Sequence, residues 1–241
     1  CTIVKHTTPC GTASGKTPLE AFKKALACDP VSAFGGIIGV TRTVDMETAR
    51  AITETFFEIV AAPSYAEGVK EYFAEKKPNL RVLTIVPGYA PKLQITGNRV
   101  GFLVEEDKLP ELPTQAKGKW IGTPRPDLWD DIIFAWKTAA ITKSNSIVLA
   151  KAGAAVGIGG GFTNRVDAGA YALKMAGENA KGSVMASDAF FPFPDTIELA
   201  AQAGVVAVIE PGGSIKDDAV FKRAEELGIS LFVGGSRTFR H

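Results

Sequence analysis

Two patterns of apolar and polar positions alternate along this chain. Short runs of neighbouring apolar residues, such as TIV at 2–4, predict buried strands, and longer segments with apolar residues three or four positions apart, such as 17–28, predict helices that bury one face. Strands are predicted at 1–5, 32–40, 58–63, 80–86, 98–106, 146–151, 154–159, 182–188, 205–211 and 230–235. Helices are predicted at 17–28, 45–56, 66–77, 127–143, 164–180, 195–204 and 214–228. This alternation is typical of an α/β fold with parallel strand pairs.

The alternation is interrupted between residues 105 and 127. This segment is polar, contains four prolines and has no clear period, so we interpret it as a linker or a long connection. It separates two α/β units of similar size, which we place at 1–122 and 123–241. The units show no convincing sequence repeat, and a duplicated architecture stays open.

Three of the predicted helices carry a signal at their start. Thr17 precedes Glu20 by three residues, which is the spacing of a capping box. Asp45 is expected to cap the next helix, and Asn164 lies near the start of a later one.

Composition and charge exclude several classes of protein. Hydrophobic residues make up 46% of the chain, as in a globular protein with a core. A net charge of +1 gives no bulk field that favours nucleic acid or an anionic membrane, and no window approaches the roughly 18 apolar residues of a membrane span. The three cysteines lack C-x-x-C spacing, which favours a reduced, cytoplasmic protein over a zinc or disulfide framework.

The chain has two histidines, and one of them, His6, follows Lys5 at the end of the first predicted strand. A surface lysine beside a packed histidine is one interpretation, and position alone favours it no more than the alternative. The alternative is a cation beside a group that titrates near neutrality, which suits acid–base catalysis. The second histidine, His241, ends a GGSRTFRH segment that is rich in residues used for recognition.

Three further motifs lie near predicted strand ends, where ligands bind in α/β sheets. On position alone, Asn145 in KSNSIVLAK suits a cap or turn better than a functional amide. The glycines of GIGGGFTNR lead into a helix near Arg165, and a phosphate site and a structural turn are equal alternatives there. The aromatic residues of SDAFFPFPD either fill the core or form a wall for a flat ring, with Asp195 as a polar anchor.

Taken in order, these segments resemble one known family. They are KHTTPCG, DPVSAFGG, DLWDDIIFAWK, KSNSIVLAK, NRVDAGAYALK, GSVMASDAFFPFPD, AVIEPGGSIKD and RTFRH. Over nearly the whole chain they are similar to the transformylase domain of the bifunctional AICAR transformylase/IMP cyclohydrolase family. The resemblance implies two cytidine-deaminase-like, three-layer α/β subdomains without the deaminase zinc, and the H-x-E and P-C-x-x-C pattern of zinc deaminases is absent from the chain.

The family transfers a formyl group from 10-formyltetrahydrofolate to the 5-amino group of AICAR, giving FAICAR in de novo purine (IMP) biosynthesis. By resemblance, the catalytic residues are Lys5, His6 and Asn145. His6 would accept a proton as the weakly nucleophilic amine attacks, Lys5 would stabilise charge on the formyl oxygen, and Asn145 would help hold that oxygen.

The resemblance also implies binding residues and partners. The residues that match the AICAR site are Gly35, Arg165, Phe190 and Arg237. The residues that match the folate pocket are Val31, Phe34, Val166, Pro192, Phe193, Asp195 and Phe239. The family is a homodimer with active sites at the subunit interface, and formyl transfer requires no metal. The resemblance leaves open a structural potassium ion near the last helix and Asp188.

The chain departs from the family pattern in several places. The family has an Arg-Tyr-Gly motif and a cyclohydrolase domain before the Lys-His pair, and this chain, which starts without Met, contains neither. We therefore expect a fragment or processed product, with the cyclohydrolase domain upstream or on a separate chain. Pro194 and Thr196 replace residues of some relatives near the folate pocket. A non-catalytic binding or dimerisation fragment is the main alternative, and a zinc deaminase is disfavoured by the missing ligand pattern.

Overall fold

A computed structural model describes residues 1–86, 93–106 and 111–240 and shows a mixed α/β fold. The strands are β1 (Thr2–Lys5), β2 (Thr8–Thr12), β3 (Gly36–Gly39), β4 (Phe57–Ala62), β5 (Arg81–Thr84), β6 (Leu93–Asn98), β7 (Gly101–Glu106), β8 (Lys119–Ile121), β9 (Ile147–Lys151), β10 (Ala154–Gly159), β11 (Val184–Ser187), β12 (Ala207–Glu210) and β13 (Ser230–Val233). The helices are α1 (Pro18–Cys28), α2 (Met46–Thr53), α3 (Val69–Lys76), α4 (Trp129–Ile141), α5 (Arg165–Ala176), α6 (Asp195–Gln202) and α7 (Asp217–Glu226). The predicted α/β class is confirmed. Among the described residues, no helix has the length and apolar content needed to cross a membrane.

The predicted helix starts are found with their caps. The Thr17 side chain accepts a hydrogen bond from the backbone N–H of Glu20, and the Asp45 and Asn164 side chains cap α2 and α5 in the same way. The capping box at α1 differs in one detail, because the Glu20 carboxylate accepts from the N–H of Lys16 and not from that of Thr17. The local signals in the sequence therefore locate the helix starts.

The two large sheets share one strand order. The first has the order β2-β1-β3-β4-β5, and the second has β10-β9-β11-β12-β13 with β8 added beside β13. In both, the first two pairs in that order are antiparallel and the next two are parallel. The architecture is therefore duplicated. The expected parallel pairing holds for only part of each sheet, because a hairpin forms one edge of both.

The edge strand β2 is absent from the sequence prediction. It contains Pro9 and Gly11, which are typical of turns. A proline is tolerated on an edge strand because the missing N–H need not join a ladder. A Cβ at Gly11 would lie 2.0 Å from the Ala25 carbonyl oxygen, so the glycine lets α1 pack directly on this strand.

Helices cover both faces of the second sheet. Leu149 and Met185 pack in a cluster with side chains of α5, α6 and α7, while Val148 and Ile209 pack on the opposite face with Trp136 of α4. This half therefore has three layers.

In the first half, one face of the sheet is covered. Helices α1 to α3 pack on it, with the Phe22 and Phe57 rings edge to face at 5.9 Å. Ile37 and Leu83 point to the other face, where they are 41% and 47% exposed. The expected third layer is thus absent from this face among the described residues.

The edges of the two sheets meet at β2 and β10. Ala13 forms a bridge with Ala154, and the N–H of Ser14 donates to the Gly153 carbonyl at 2.7 Å. The two strands run antiparallel, so the start of β2 lies beside the loop that follows β10. A Cβ at Gly160 would lie 3.6 Å from Thr8. This junction brings the β1–β2 turn to the glycine-rich loop of the second half.

The interrupted segment between the halves contains more structure than predicted. Strand β8 pairs with β13, and its Trp120 packs edge to face on Phe232 and Trp129. The division of the chain into units 1–122 and 123–241 stays a prediction. Strand β8 belongs to the second sheet, although its residues precede that division. The strand predicted at 98–106 is one arm of a hairpin, with β6 as the other arm.

The close approach of α5 to β10 generates a stability prediction. A Cβ at Gly159 would lie 2.1 Å from the Ala168 carbonyl oxygen, whereas a Cβ at Gly39 would lie no closer than 3.9 Å to its neighbours. We expect Gly159→Ala to lower the free energy of unfolding by about 1–3 kcal/mol through overpacking. Gly39→Ala, also in a strand, is the matched control and should change it little. Urea denaturation measures both, and equal effects would contradict the proposed backbone contact.

Candidate active site

His6 lies at the tip of the hairpin between β1 and β2. Lys5 pairs with Thr8, which leaves His6 and Thr7 as a two-residue turn with φ values of 49° and 65°. Two-residue hairpin turns of this kind favour Asn or Gly, and positive φ is unusual for a β-branched residue such as Thr7. Strain of this kind costs about 1–3 kcal/mol and clusters at functional sites. The turn therefore exposes His6 in a backbone conformation that its sequence does not favour.

Lys5 connects this turn to the loop before β3. Its ammonium donates to the Phe34 carbonyl at 2.6 Å. Gly35 follows with φ of 68°, and a Cβ there would lie 3.3 Å from the Lys5 ammonium nitrogen. The Phe34 ring packs on Phe56 at 5.3 Å. The structure thus brings together four of the residues that the sequence proposed, Lys5, His6, Phe34 and Gly35.

A cavity of about 330 Å³ lies between the two halves, next to this turn. Lys5, Thr8 and Asp29 line it from the first half, and Gly160 and Phe162 from the second. The cavity therefore lies between Lys5 of the first half and the glycine-rich loop of the second half, whose Phe162 carbonyl binds Asn145.

Two cysteines in the cavity wall are poor nucleophiles. The pKa of the Cys10 thiol is raised to about 11 and that of Cys28 to about 12, mainly by burial and in addition by the nearby carboxylate of Asp29. Both thiols are protonated at neutral pH, and the thiolate is the reactive form. Cysteine chemistry is not expected in this cavity.

Asn145 is held in place by four hydrogen bonds, one of which runs from the backbone N–H of Phe162 to the Asn145 backbone carbonyl at 3.4 Å. Its backbone N–H donates to the Phe162 carbonyl at 3.1 Å, and its side-chain nitrogen donates to the same oxygen at 3.0 Å. The side-chain oxygen accepts from the Arg165 guanidinium at 2.8 Å. An amide nitrogen has two N–H groups, so one remains for an oxygen acceptor outside the described residues.

Arg165 and Asp188 form a buried ion pair behind Asn145. The guanidinium donates to Asp188 Oδ1 at 2.7 Å, with the side chains 8% and 0% exposed. The other carboxylate oxygen accepts from the Ser144 hydroxyl at 2.5 Å. The Arg165 Nε is buried and has no hydrogen-bond partner among the described residues. The arginine predicted for the nucleotide is therefore mainly engaged with the protein.

The C-terminal segment, residues 234–240, docks on the same cluster. The backbone N–H of Thr238 donates to the Asp188 carbonyl at 2.9 Å, and Ser144 exchanges backbone and hydroxyl hydrogen bonds with Arg240. Arg237 and Phe239 flank the buried Thr238 and are exposed, and the Arg237 guanidinium stacks over the Phe239 ring at 4.7 Å. His241, which the sequence singled out, lies outside the described residues.

The aromatic loop, residues 188–194, places one phenylalanine in the core, and its interpretation as a wall for a flat ring stays a prediction. Phe191 is fully buried and fills the core, whereas Phe193 is 57% exposed. Phe190 and Pro192 are half-buried, and so is Asp195 at the start of α6, whose Oδ1 accepts from the N–H of Thr196. Val166 and the strongly exposed Val31 complete the residues that match the folate pocket.

The candidate residues thus form two groups in one chain. One surrounds the Lys5-His6 turn, and the other surrounds the Asn145-Arg165-Asp188 cluster. Sequence reasoning missed the roles of Ser144 and of Glu210, which accepts a hydrogen bond from Phe191 at 2.8 Å. A charged residue at the end of the apolar run VVAVIE was the available signal for Glu210.

Comparison with known proteins identifies the class. A model of the AICARFT/IMPCHase bienzyme family matches residues 1–175. The chain belongs to this family, as the resemblance in the sequence predicted.

Three curated relatives carry the name bifunctional purine biosynthesis protein PurH. The protein of Desulfitobacterium hafniense (strain DSM 10664 / DCB-2) is 44% identical over 249 aligned residues, which cover 100% of this chain and 47% of the relative. That of Persephonella marina is 43% identical, with 100% and 48% covered, and that of Bacillus subtilis (strain 168) is 43% identical, with 99% and 47% covered. The chain spans about half the length of these relatives.

The buried ion pair generates a prediction about the site. We expect Asp188→Ala to lower the free energy of unfolding by about 3–5 kcal/mol, because it leaves the Arg165 charge buried and unpaired. Glu58→Ala breaks the exposed pair with Arg81 at the surface and is the matched control, with little measurable change expected. Chemical denaturation compares the two. A similar small effect for both variants would show that the cluster around Asn145 does not depend on Asp188.

Proposed function

We propose that the chain catalyses formyl transfer from 10-formyltetrahydrofolate to the 5-amino group of AICAR, giving FAICAR in de novo purine biosynthesis. The observation that carries the proposal is the strained turn that exposes His6 beside Lys5, in a chain of the AICARFT/IMPCHase bienzyme family. The activity is that of a one-carbon-group transferase, and a cytoplasmic location accompanies it.

The reaction needs a base and an oxyanion stabiliser. The AICAR amine attacks the formyl carbon, and His6 accepts the proton that the amine loses. The Lys5 ammonium stabilises the negative charge that develops on the formyl oxygen. The bond from the formyl carbon to N10 of the folate then breaks, N10 takes up a proton, and FAICAR and tetrahydrofolate are released.

Asn145 suits the second contact to the formyl oxygen. Arg165 holds its side-chain oxygen, and the Phe162 carbonyl accepts one of its N–H groups. The amide is thereby oriented before substrate binds, so its second N–H donates without reorganisation. Donors fixed in advance are the most effective at stabilising developing charge.

The binding assignments follow the exposure of the candidate residues. Arg237 is exposed and carries a guanidinium suited to the AICAR phosphate. Val31, Phe34 and Phe193 are 85%, 59% and 57% exposed, which suits apolar groups that await a ligand or a second copy of the chain. We therefore propose a homodimer in which both copies contribute to each folate and nucleotide site.

The repeated strand order supports a pair of cytidine-deaminase-like subdomains. Among the described residues, no group of three or more His, Cys, Asp or Glu side chains is arranged to hold a metal ion. The proposed transfer uses only the side chains named above and the folate.

A structural potassium ion also belongs to the proposal. The Ser144 hydroxyl and the Asp188 carboxylate lie within 2.5 Å, and the Asp188 N–H donates to the Ser146 carbonyl at 3.3 Å. Clustered hydroxyl, carbonyl and carboxylate oxygens suit a hard cation. The ion would hold this cluster together and would not take part in the chemistry.

The test follows tetrahydrofolate release from 10-formyltetrahydrofolate by absorbance, with and without AICAR. We expect AICAR-dependent turnover, and a loss of about 10²–10⁴-fold in His6→Asn, because the base is removed. Asparagine tolerates positive φ, so this variant keeps the turn. Lys16→Ala, at an exposed lysine, is the control and should retain activity. A folded dimer without turnover would favour the non-catalytic fragment.

Nucleotide binding gives an independent prediction. Because Arg237 supplies charge-assisted hydrogen bonds, we expect Arg237→Ala to weaken AICAR binding by roughly tenfold or more in calorimetry. Arg240→Ala keeps the backbone contacts to Ser144 and is the neighbouring control. Unchanged affinity in Arg237→Ala would remove this residue from the proposed nucleotide site.

A further inference from the structure

Glu210 is a fully buried carboxyl group that the proposed mechanism does not use. It ends β12, and its side chain is 0% exposed. One carboxyl oxygen, Oε2, accepts from the backbone N–H of Phe191 at 2.8 Å. The other, Oε1, is buried without a hydrogen-bond partner among the described residues. A buried acceptor left unpaired is costly, so its retention needs an explanation.

Glu210 contacts two segments of the candidate site, the aromatic loop and the C-terminal segment. Its side chain binds the aromatic loop at Phe191, and its backbone carbonyl accepts from the N–H of Gly234, at the start of the C-terminal segment. These two segments also contact each other, because Thr238 donates to the Asp188 carbonyl. Glu210 is therefore the point on β12 from which both segments are held.

Both segments carry residues assigned to substrates. The aromatic loop presents the half-buried Phe190 and the exposed Phe193, and the C-terminal segment presents Arg237 and Phe239. Phe191 is the buried neighbour of Phe190, so a shift of its N–H moves the ring that precedes it. The hydrogen bond to Glu210 is thus made by the chain neighbour of a residue assigned to substrate.

The charge on Glu210 is finely balanced. The pKa of its carboxyl group is raised to about 7, mainly by burial. Within that balance the Phe191 N–H and Arg165 at the start of α5 lower the pKa, and Asp217 at the start of α7 raises it. The flanking strands β11 and β13 carry no charged side chains. Asp188, which follows β11, is paired with Arg165. The carboxyl group therefore changes charge close to neutral pH.

We propose that Glu210 is a positioning residue, whose ionised form holds the aromatic loop in the geometry that binds substrate. A carboxylate accepts a shorter and stronger hydrogen bond than a neutral carboxyl group. Protonation weakens the bond to Phe191 and adds an O–H donor in the buried site. This inference rests on the proposed formyl transfer for its link to substrate, and on the contacts above for the positioning itself.

The first measurement uses the full chain without substrate. The ¹H–¹⁵N resonance of the Phe191 amide is followed by NMR from pH 5.5 to 8.5. We expect a single step with a midpoint near 7 in the wild type, no step in Glu210→Gln, and an unchanged step in Glu225→Gln, an exposed glutamate on α7. A flat Phe191 resonance in the wild type overturns the proposal, and that result requires no variant to fold.

The second measurement follows the pH dependence of the formyl-transfer kinetics. We expect the wild-type KM for 10-formyltetrahydrofolate to rise several-fold between pH 8 and pH 6, and the KM of Glu210→Gln to be independent of pH with kcat close to that of the wild type at each pH. A wild-type KM that does not change, despite the NMR step, overturns the link to substrate. The NMR step without any formyl transfer would contradict the proposed function and leave the positioning role standing.

Discussion

The buried ion pair between Arg165 and Asp188 is the interaction on which the candidate site depends. It joins the first turn of α5 to the end of β11, and it reaches Asn145, Ser144 and the C-terminal segment through hydrogen bonds. Burying two charges is expensive, and a buried pair is poor evidence for stability by itself. Here each charge has additional hydrogen-bond partners, and the pair specifies how four separate segments meet.

The duplicated architecture explains where these segments come from. Each half contains a hairpin followed by alternating helices and strands in the same order, with α4 preceding the hairpin of the second half, so equivalent strand ends exist twice in the chain. The halves use them differently. The first turn presents Lys5 and the strained His6, whereas the equivalent turn of the second half is Ala152 and Gly153, with φ values of 52° and 71°. The framework is therefore repeated, and only the first copy of the turn carries the residues proposed for catalysis.

Glycines at the junctions make this arrangement possible. Close packing of α5 on β10 requires Gly157 and Gly159, since a Cβ at either position would lie 2.1 Å from a carbonyl oxygen of the helix. That contact sets the start of α5 and therefore the position of Arg165. The GIGGGFTNR motif suggested either a phosphate loop or a structural turn. Gly157 and Gly159 in it have a structural reason, and Arg165, which follows the helix cap Asn164, carries the positive charge.

The sequence by itself determined the α/β class, the order of the helices, their caps and the family. These depend on local periodicity, on side chains that bond to nearby backbone, and on motifs that stay together along the chain. The tertiary structure alone decided the edge strands β2 and β8, the duplicated sheets, the burial of Arg165 and the buried hydrogen bond of Glu210. By sequence alone, Pro9 and Gly11 favour a turn. They form a strand here because β2 lies at the edge of the sheet and helix α1 packs against it. The environment of a charged residue such as Glu210 depends on partners distant in sequence, because its burial and hydrogen bonding arise only when those segments pack together.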